Sequence, residues 1–425
     1  MFSDLFAIWR YELCKTFRDM GMVIFFIIVP LLYPLLYSYI YSHEVVRDVP
    51  AMVVDRSNST LSREYLRRVD ATPEVSIVGH CTDMEEAKEQ IRRRNAYGII
   101  YVPEDFSEHL NTGRKAHISL YCDMSGLLYY KSLLIANTLV SLEMNKEIKI
   151  ARSVGATERQ GEIISYPIDY EDVALYNPTI GFASFLLPAV LILIIQQTLL
   201  LGIGLSAGTA RERNKFHDLV PTDISHYSGA LRIVFGKGLA YLTIYVPVLC
   251  YTLVIVPRMF GFIQLAEAMD LILFALPYLL ACIFFAMSLS VVVRHRESCM
   301  MIFVFTSVPL LFISGVSWPG ASIPEGWRIV SHLFPSTFGI NGYIKIKSMG
   351  ANLREVNSEY MALWLHTILY FLTTCAIYYR QVRKNRRHIR EADSICWWNR
   401  AIRWPLSPPW PCATHFLACP VPDWP

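Results

Sequence analysis

Two neighbouring amides, Gln196 and Gln197, stand inside an otherwise apolar run from Ile180 to Leu205. An unsatisfied amide is costly away from water, so at least one of them must face protein or a polar cavity. Adjacent helical residues point about 100° apart, so the pair addresses two different neighbours. Interhelical hydrogen bonding and the lining of a substrate pathway both account for them. A second constellation follows at once: Arg211, Glu212, Arg213, Phe216 and Asp218, in a charged stretch that ends near Pro221. Its composition predicts a short helix over 208–221, either docking into a cleft of a partner or lying as a solvated loop with anchoring arginines. A third is Gly229 to Gly236-Lys237-Gly238, the nearest approach to a phosphate-binding loop. Its spacing is one residue too long and it ends in Gly where Ser or Thr would hold magnesium, so it reads as close packing and anchoring. No nucleophile, base and orienting acid stand at a catalytic spacing, so no catalytic residue is assigned. No metal site is assigned either, since the ten cysteines include no CxxC pair.

The elements that hold these groups are mostly apolar. The chain has 425 residues, 53% of them hydrophobic and 18% charged, enough for several bilayer spans together with a polar domain. A span needs roughly 20 mostly apolar residues. Runs at 22–41, 180–205, 231–256, 271–293, 299–316 and 361–379 meet that need and predict about six transmembrane helices. Charged residues are sparse within them, with His366 standing alone. Lysines and arginines flank the runs on one side: Arg10, Lys15 and Arg18, then Arg211, Arg213 and Lys215, then Arg294 and Arg296, then Arg380 to Arg387. Positive charge is retained in the cytoplasm, so both termini are expected there. The net charge of +3 has no basic stripe, and nucleic-acid binding finds no support.

The expected organisation is an amphipathic helix at 1–21, a first span at 22–42, an α/β domain outside the cytoplasm at 43–178, a helical bundle at 179–380 and a tail at 381–425. In the first helix, Phe2, Leu5, Phe6, Trp9, Leu13, Phe17 and Met20 form one apolar face, suited either to the membrane surface or to packing on the bundle. In the domain, strands are expected at 49–55, 74–78, 97–102 and 117–123, helices at 61–69 and 84–95, and a stalk helix at 127–154. Thr82 with Glu85 reads as a capping box. Cys81 and Cys122 are open to either a disulfide or two thiols. After the fifth run, Gly315, Pro319, Pro324 and Pro335 break the helix repeatedly over 314–343, while Trp318 and Trp327 hold it at the interface. That segment reads as re-entrant, acting as an outer gate or as a structural cap. The tail from Ile395, rich in Pro and Trp, shows no helical or strand period.

In this order the pieces resemble the type 2 ABC exporter permeases (the ABC-2 type) that carry a large extracytoplasmic domain after the first span. The resemblance covers about residues 1–380. It is carried by Leu175-Tyr-Asn-Pro178, Arg211-Glu212, Ser314-Gly315 with Pro319 and Pro324, the Pro335-Ser-Thr stretch, and Ser348-Met-Gly-Ala351. It implies a coupling helix around Arg211, Glu212 and Asp218, a separate ATPase subunit that binds ATP and Mg, and a homodimeric or heterodimeric membrane unit. A periplasmic adaptor is implied for Gram-negative inner membranes. Arg213-Asn-Lys-Phe216, Ile344 and Lys345 depart from the family pattern, so no substrate identity carries over. Low charge in the spans favours an amphiphilic or hydrophobic substrate moved outward across the cytoplasmic membrane, with membrane lipid as a further partner. The alternative is a membrane sensor whose α/β domain binds a ligand, which would need a cytoplasmic output domain. A membrane-embedded enzyme would need clustered ionisable groups at bilayer depth.

Overall fold

The computed structural model describes residues 2–152, 160, 175–178, 180–212, 229–293 and 295–402, with side chains except at 2–4, 229 and 384–402. Six helices are long and apolar enough to span a membrane: Met20–Ile40, Phe182–Glu212, Ala230–Met259, Ala268–Leu289, Arg296–Ile313 and Asn357–Arg383. We number them as the first to sixth spans. Six crossings leave the first helix, α1 (Phe2–Arg18), on the side opposite the domain inserted after the first span. We call these the terminal side and the domain side. Two spans carry a π-helical turn, Ile24–Ile28 and Tyr251–Ile255, each just ahead of a proline, Pro30 and Pro257. Proline lacks an N–H and displaces the preceding turn, so each bulge accommodates the break without ending the helix.

The second span is the axis of the bundle. Its most apolar window is 94% buried, against 11% for the fifth span. Leu191, Ile192, Ile195 and Leu199 pack among Phe274 and Tyr278 of the fourth span and Ile340 and Tyr343 further along. The sixth span continues as helix to Ile402, so the first part of the tail is helical, contrary to the expectation from its composition. Lys, Arg, Glu and Ala between 383 and 392 are good helix formers and propagate the span outward. The rest of the tail lies outside the described residues.

The inserted domain is a four-stranded sheet, β1 (Val49–Asp55), β2 (Val75–His80), β3 (Gly98–Val102) and β4 (Ser119–Cys122), in the order β2-β1-β3-β4. β1 is parallel to β2 and β3, and β4 is antiparallel to β3. Alternation along β1 feeds two cores. Val49, Ala51 and Val53 meet α2 (Thr60–Asp70) and α5 (Leu127–Arg152), while Met52 and Val54 meet α3 (Met84–Arg92). A short α4 (Phe106–Asn111), absent from the sequence expectation, adds Phe106 to the first core. The capping box lies elsewhere than expected: Ser59 and Ser62 satisfy each other at the start of α2. At α3 the cap position is Asp83, and Glu86 rather than Glu85 accepts from the Thr82 N–H at 3.0 Å. Cys81 follows β2 and Cys122 ends β4, on opposite edges of the sheet, so no disulfide joins them. Burial pushes the Cys122 thiol up to about 11.

Candidate functional site

The second span carries polar groups at two levels, and each level ties several elements together. At its middle, Gln196 and Gln197 are both buried. Gln196 turns toward α7 (Pro335–Met349), where its Oε1 accepts the Ser336 N–H at 2.7 Å. A helix start leaves backbone donors without partners, and Phe334, at the cap position, offers no side-chain bond. Gln196 therefore serves as a cap supplied from another helix. Gln197 faces the fifth span, its amide 3.4 Å from Thr306 Oγ1. The two amides thus address two neighbours, as their angular separation requires.

α7 runs from this level to the domain side, where the Lys347 carbonyl accepts from Leu265 N–H at 2.9 Å in the turn between the third and fourth spans. Two glycines let it lie flat on the fourth span. A Cβ on Gly339 would come within 2.5 Å of the Tyr278 ring, and one on Gly342 within 2.3 Å of the Phe274 ring. Tyr278 Oη donates to the Ile192 carbonyl at 2.7 Å, and Tyr343 Oη to that of Leu253, inside the second π turn, at 3.3 Å. Gly315 takes a left-handed φ of 89° and ends the fifth span. Pro319 precedes a single 3₁₀ turn, Pro324 sits ahead of α6 (Glu325–Ser331), and Pro335 is the first residue of α7. Trp318 and Trp327 are exposed. The chain therefore turns inward after the fifth span, reaches the level of Gln196, and returns as α7, which extends beyond the expected limit of residue 343.

The second level is the terminal-side end of the same span. Among the described residues the helix runs through to Glu212, so Arg211 and Glu212 continue the second span rather than opening a separate helix. Arg211 Nη1 donates to the carbonyls of Ser290 at 2.8 Å, Val291 at 2.9 Å and Val293, closing the C-terminal end of the fourth span. Glu212 Oε1 accepts the Arg296 N–H at 2.7 Å, at the N-terminus of the fifth span. The Arg296 guanidinium reaches Asp19 Oδ1 at 3.3 Å, and the same oxygen accepts from Gly21 N–H as the first span begins. Four spans meet in this brace. Gly204 and Gly208 make it possible: a Cβ on the first would lie 2.3 Å from Cys299 Sγ, and on the second 3.0 Å from the Arg296 backbone. Their four-residue spacing was a readable sequence signal. Arg213, Phe216 and Asp218 lie outside the described residues.

Beside the brace is a cluster that sequence reasoning missed. α1 packs Ile8, Glu12 and Thr16 against the third span, while Phe6, Phe17 and Met20, part of its apolar face, remain exposed. Glu12 is 1% exposed, 3.4 Å from Lys237 Nζ, and accepts from Tyr241 Oη at 2.6 Å. Burial opposes its charge, yet Lys237, Lys15 and the Tyr241 hydroxyl prevail and hold the carboxyl below its ordinary range. Lys237 is thus half of a buried ion pair rather than a surface anchor, and the interior is less free of charge than expected. Lys347, 1% exposed on α7, is a second such departure. A single lysine in a glycine run gives no hint of the acid 225 positions away that it meets.

Residues 20–376 match the family model described as ABC-2 family transporter protein. The fold and this match define a polytopic ABC transporter membrane component. The chain belongs to the ABC-2 transporter family, as an ABC-2 type permease. Among curated proteins, ABC transporter G family member 20 of Dictyostelium discoideum is 25% identical over 309 residues, 69% of this chain. The chain spans 40% of that relative's length.

Proposed function

We propose that this permease is half of an ABC exporter in the cytoplasmic (inner) membrane, with the terminal side in the cytoplasm and the α/β domain outside. Two copies, or one copy and a related permease, enclose the pathway. The fifth span offers the contact face: Met301, Val304, Phe305, Val308 and Phe312 all point away from the rest of the chain. A separate ATPase subunit binds ATP and Mg, and residues 211–218 receive its movement. The carrying observation is the brace, because a push on the end of the second span reaches the first, fourth and fifth spans through charged hydrogen bonds.

At mid-membrane the same span holds the start of α7 by Gln196, so movement at one level reaches the re-entrant segment that closes the domain side. The substrate is amphiphilic or hydrophobic, in keeping with largely uncharged span surfaces, and leaves outward past α7, with the α/β domain shielding the exit or docking an adaptor. Tagged purification in mild detergent, with mass spectrometry and an ATPase assay, tests the reading. A stoichiometric ATPase should co-purify. Recovery of a stable chain with no ATPase would refute it.

A further inference from the structure

A cavity of about 420 Å³ opens on the terminal side between α1 and the ends of the first, second and fifth spans. Lys15, Arg18 and Arg296 line it, with Asp19 as their acidic counterpart. Asp19 is already engaged, since its Oδ1 takes both the Gly21 N–H at 2.9 Å and the Arg296 guanidinium at 3.3 Å. Lys15 donates to Ser206 Oγ at 3.0 Å and also faces Glu12, so Arg18 is the lining cation with no counter-ion among the described residues, and the lining keeps a net positive charge. The Thr209 hydroxyl, which also lines it, is buried with no hydrogen-bond partner among the described residues. A buried hydroxyl without a partner costs free energy that an arriving acceptor recovers.

Depth identifies the source of that acceptor. Met20 starts the first span and also lines the cavity, so its mouth lies where hydrocarbon gives way to headgroups. Met20 is 72% exposed at this rim, and Phe17, the neighbour of the lining residue Arg18 in the chain, is 58% exposed, apolar surface suited to acyl chains. A carboxylate from a protein partner would meet the same charge but would leave these two side chains in water.

We propose that this cavity binds the phosphate of an anionic glycerophospholipid from the terminal-side leaflet. The phosphate lies among Lys15, Arg18, Arg296 and the Thr209 hydroxyl, and the acyl chains cover Phe17 and Met20. Such a lipid would bridge α1 to the brace and stiffen it. The inference rests on the membrane placement of the chain and not on the coupling reading, so either can fail alone.

The test is the melting temperature of the purified full chain in neutral detergent, with added phosphatidylglycerol, phosphatidylcholine or inorganic phosphate at matched concentration. Phosphatidylglycerol should raise it by about 3–6 °C, while phosphatidylcholine and inorganic phosphate should move it by less than about 1 °C. Arg18→Gln and Thr209→Val should melt like the parent in phosphatidylcholine and lose more than half of the phosphatidylglycerol shift. Equal shifts from both lipids, an equal shift from inorganic phosphate, or full shifts in both variants would overturn the proposal. So would variants that keep the lipid shift while losing a co-purifying ATPase, since the cavity would then serve a protein carboxylate.

Discussion

The second span meets its neighbours with amides at its middle and with charges at its terminal-side end. At mid-membrane Gln196 and Gln197 reach a backbone N–H and a hydroxyl. Sixteen residues past Gln196, Glu212 and the adjacent Arg211 close helix ends, and Arg296 pairs with Asp19. Charge is cheap only near water or near an opposite charge, whereas an amide carries a dipole at lower desolvation cost. The span's central contacts are neutral, while its end is fastened through charged groups at several points.

The largest effect expected from breaking this arrangement lies beside the charged level. Glu12→Leu removes the carboxylate that faces Lys237 in the interior and should cost about 3–5 kcal/mol. Thermal unfolding in detergent reads the loss. Glu12→Leu combined with Lys237→Leu should recover most of it, and a double variant as unstable as the single one would show that the pair is not the cause.

Next comes the neutral level. Gln196→Leu removes the only side-chain cap described for α7 and should cost about 1–3 kcal/mol. Faster labelling of a cysteine placed at Ser336, with domain-side sites unchanged, is the accompanying sign. Arg211→Ala releases three carbonyls close to the membrane surface, where water replaces part of the loss, so a smaller fall of about 1–2 kcal/mol is expected. Comparison of the two melting temperatures ranks the levels directly.

The smallest effect sits in the α/β domain and follows pH. Arg68 holds the Glu64 and Glu147 carboxyls below their ordinary range, and Arg93 does the same for Glu89. A carboxyl with a lowered folded value binds fewer protons folded than unfolded, so its contribution is complete above the ordinary value of 4.5 and fades as pH falls through the lowered one. Hydrogen exchange on the full chain should therefore show the domain loosening below about pH 4.5 while the spans away from Glu12 stay protected. Uniform loosening of both would contradict the separation.

These regions also differ in how far the sequence exposes them. Strands β1 to β4 were legible because alternation of apolar residues has a period fixed by the pleat. Uniform apolar runs exposed the spans just as directly, and the family motifs carried the ABC-2 assignment. Gln196 and Gln197 were visible as anomalies, but their partners Ser336 and Thr306 lie far along the chain and follow only from packing. Glu12 was hidden among ordinary charges of an amphipathic helix, since helical spacing gives a face but not which face is buried. Arg296 looked like a flanking charge, and only the close approach at Gly204 and Gly208 brings it into a brace with Asp19. The capping box was misplaced because Thr82 and Ser59 both offer a hydroxyl ahead of a helix, and backbone direction alone chooses between them.

The coupling of the brace to transport is tested most directly by the charge exchange Arg211→Glu with Glu212→Arg, in vesicles containing the permease and its co-purified ATPase. ATP hydrolysis and substrate efflux are measured together. The account predicts that hydrolysis persists within about twofold while efflux per ATP falls at least about tenfold, a coupling loss of roughly 1.4 kcal/mol or more. An unchanged ratio of efflux to hydrolysis would contradict it.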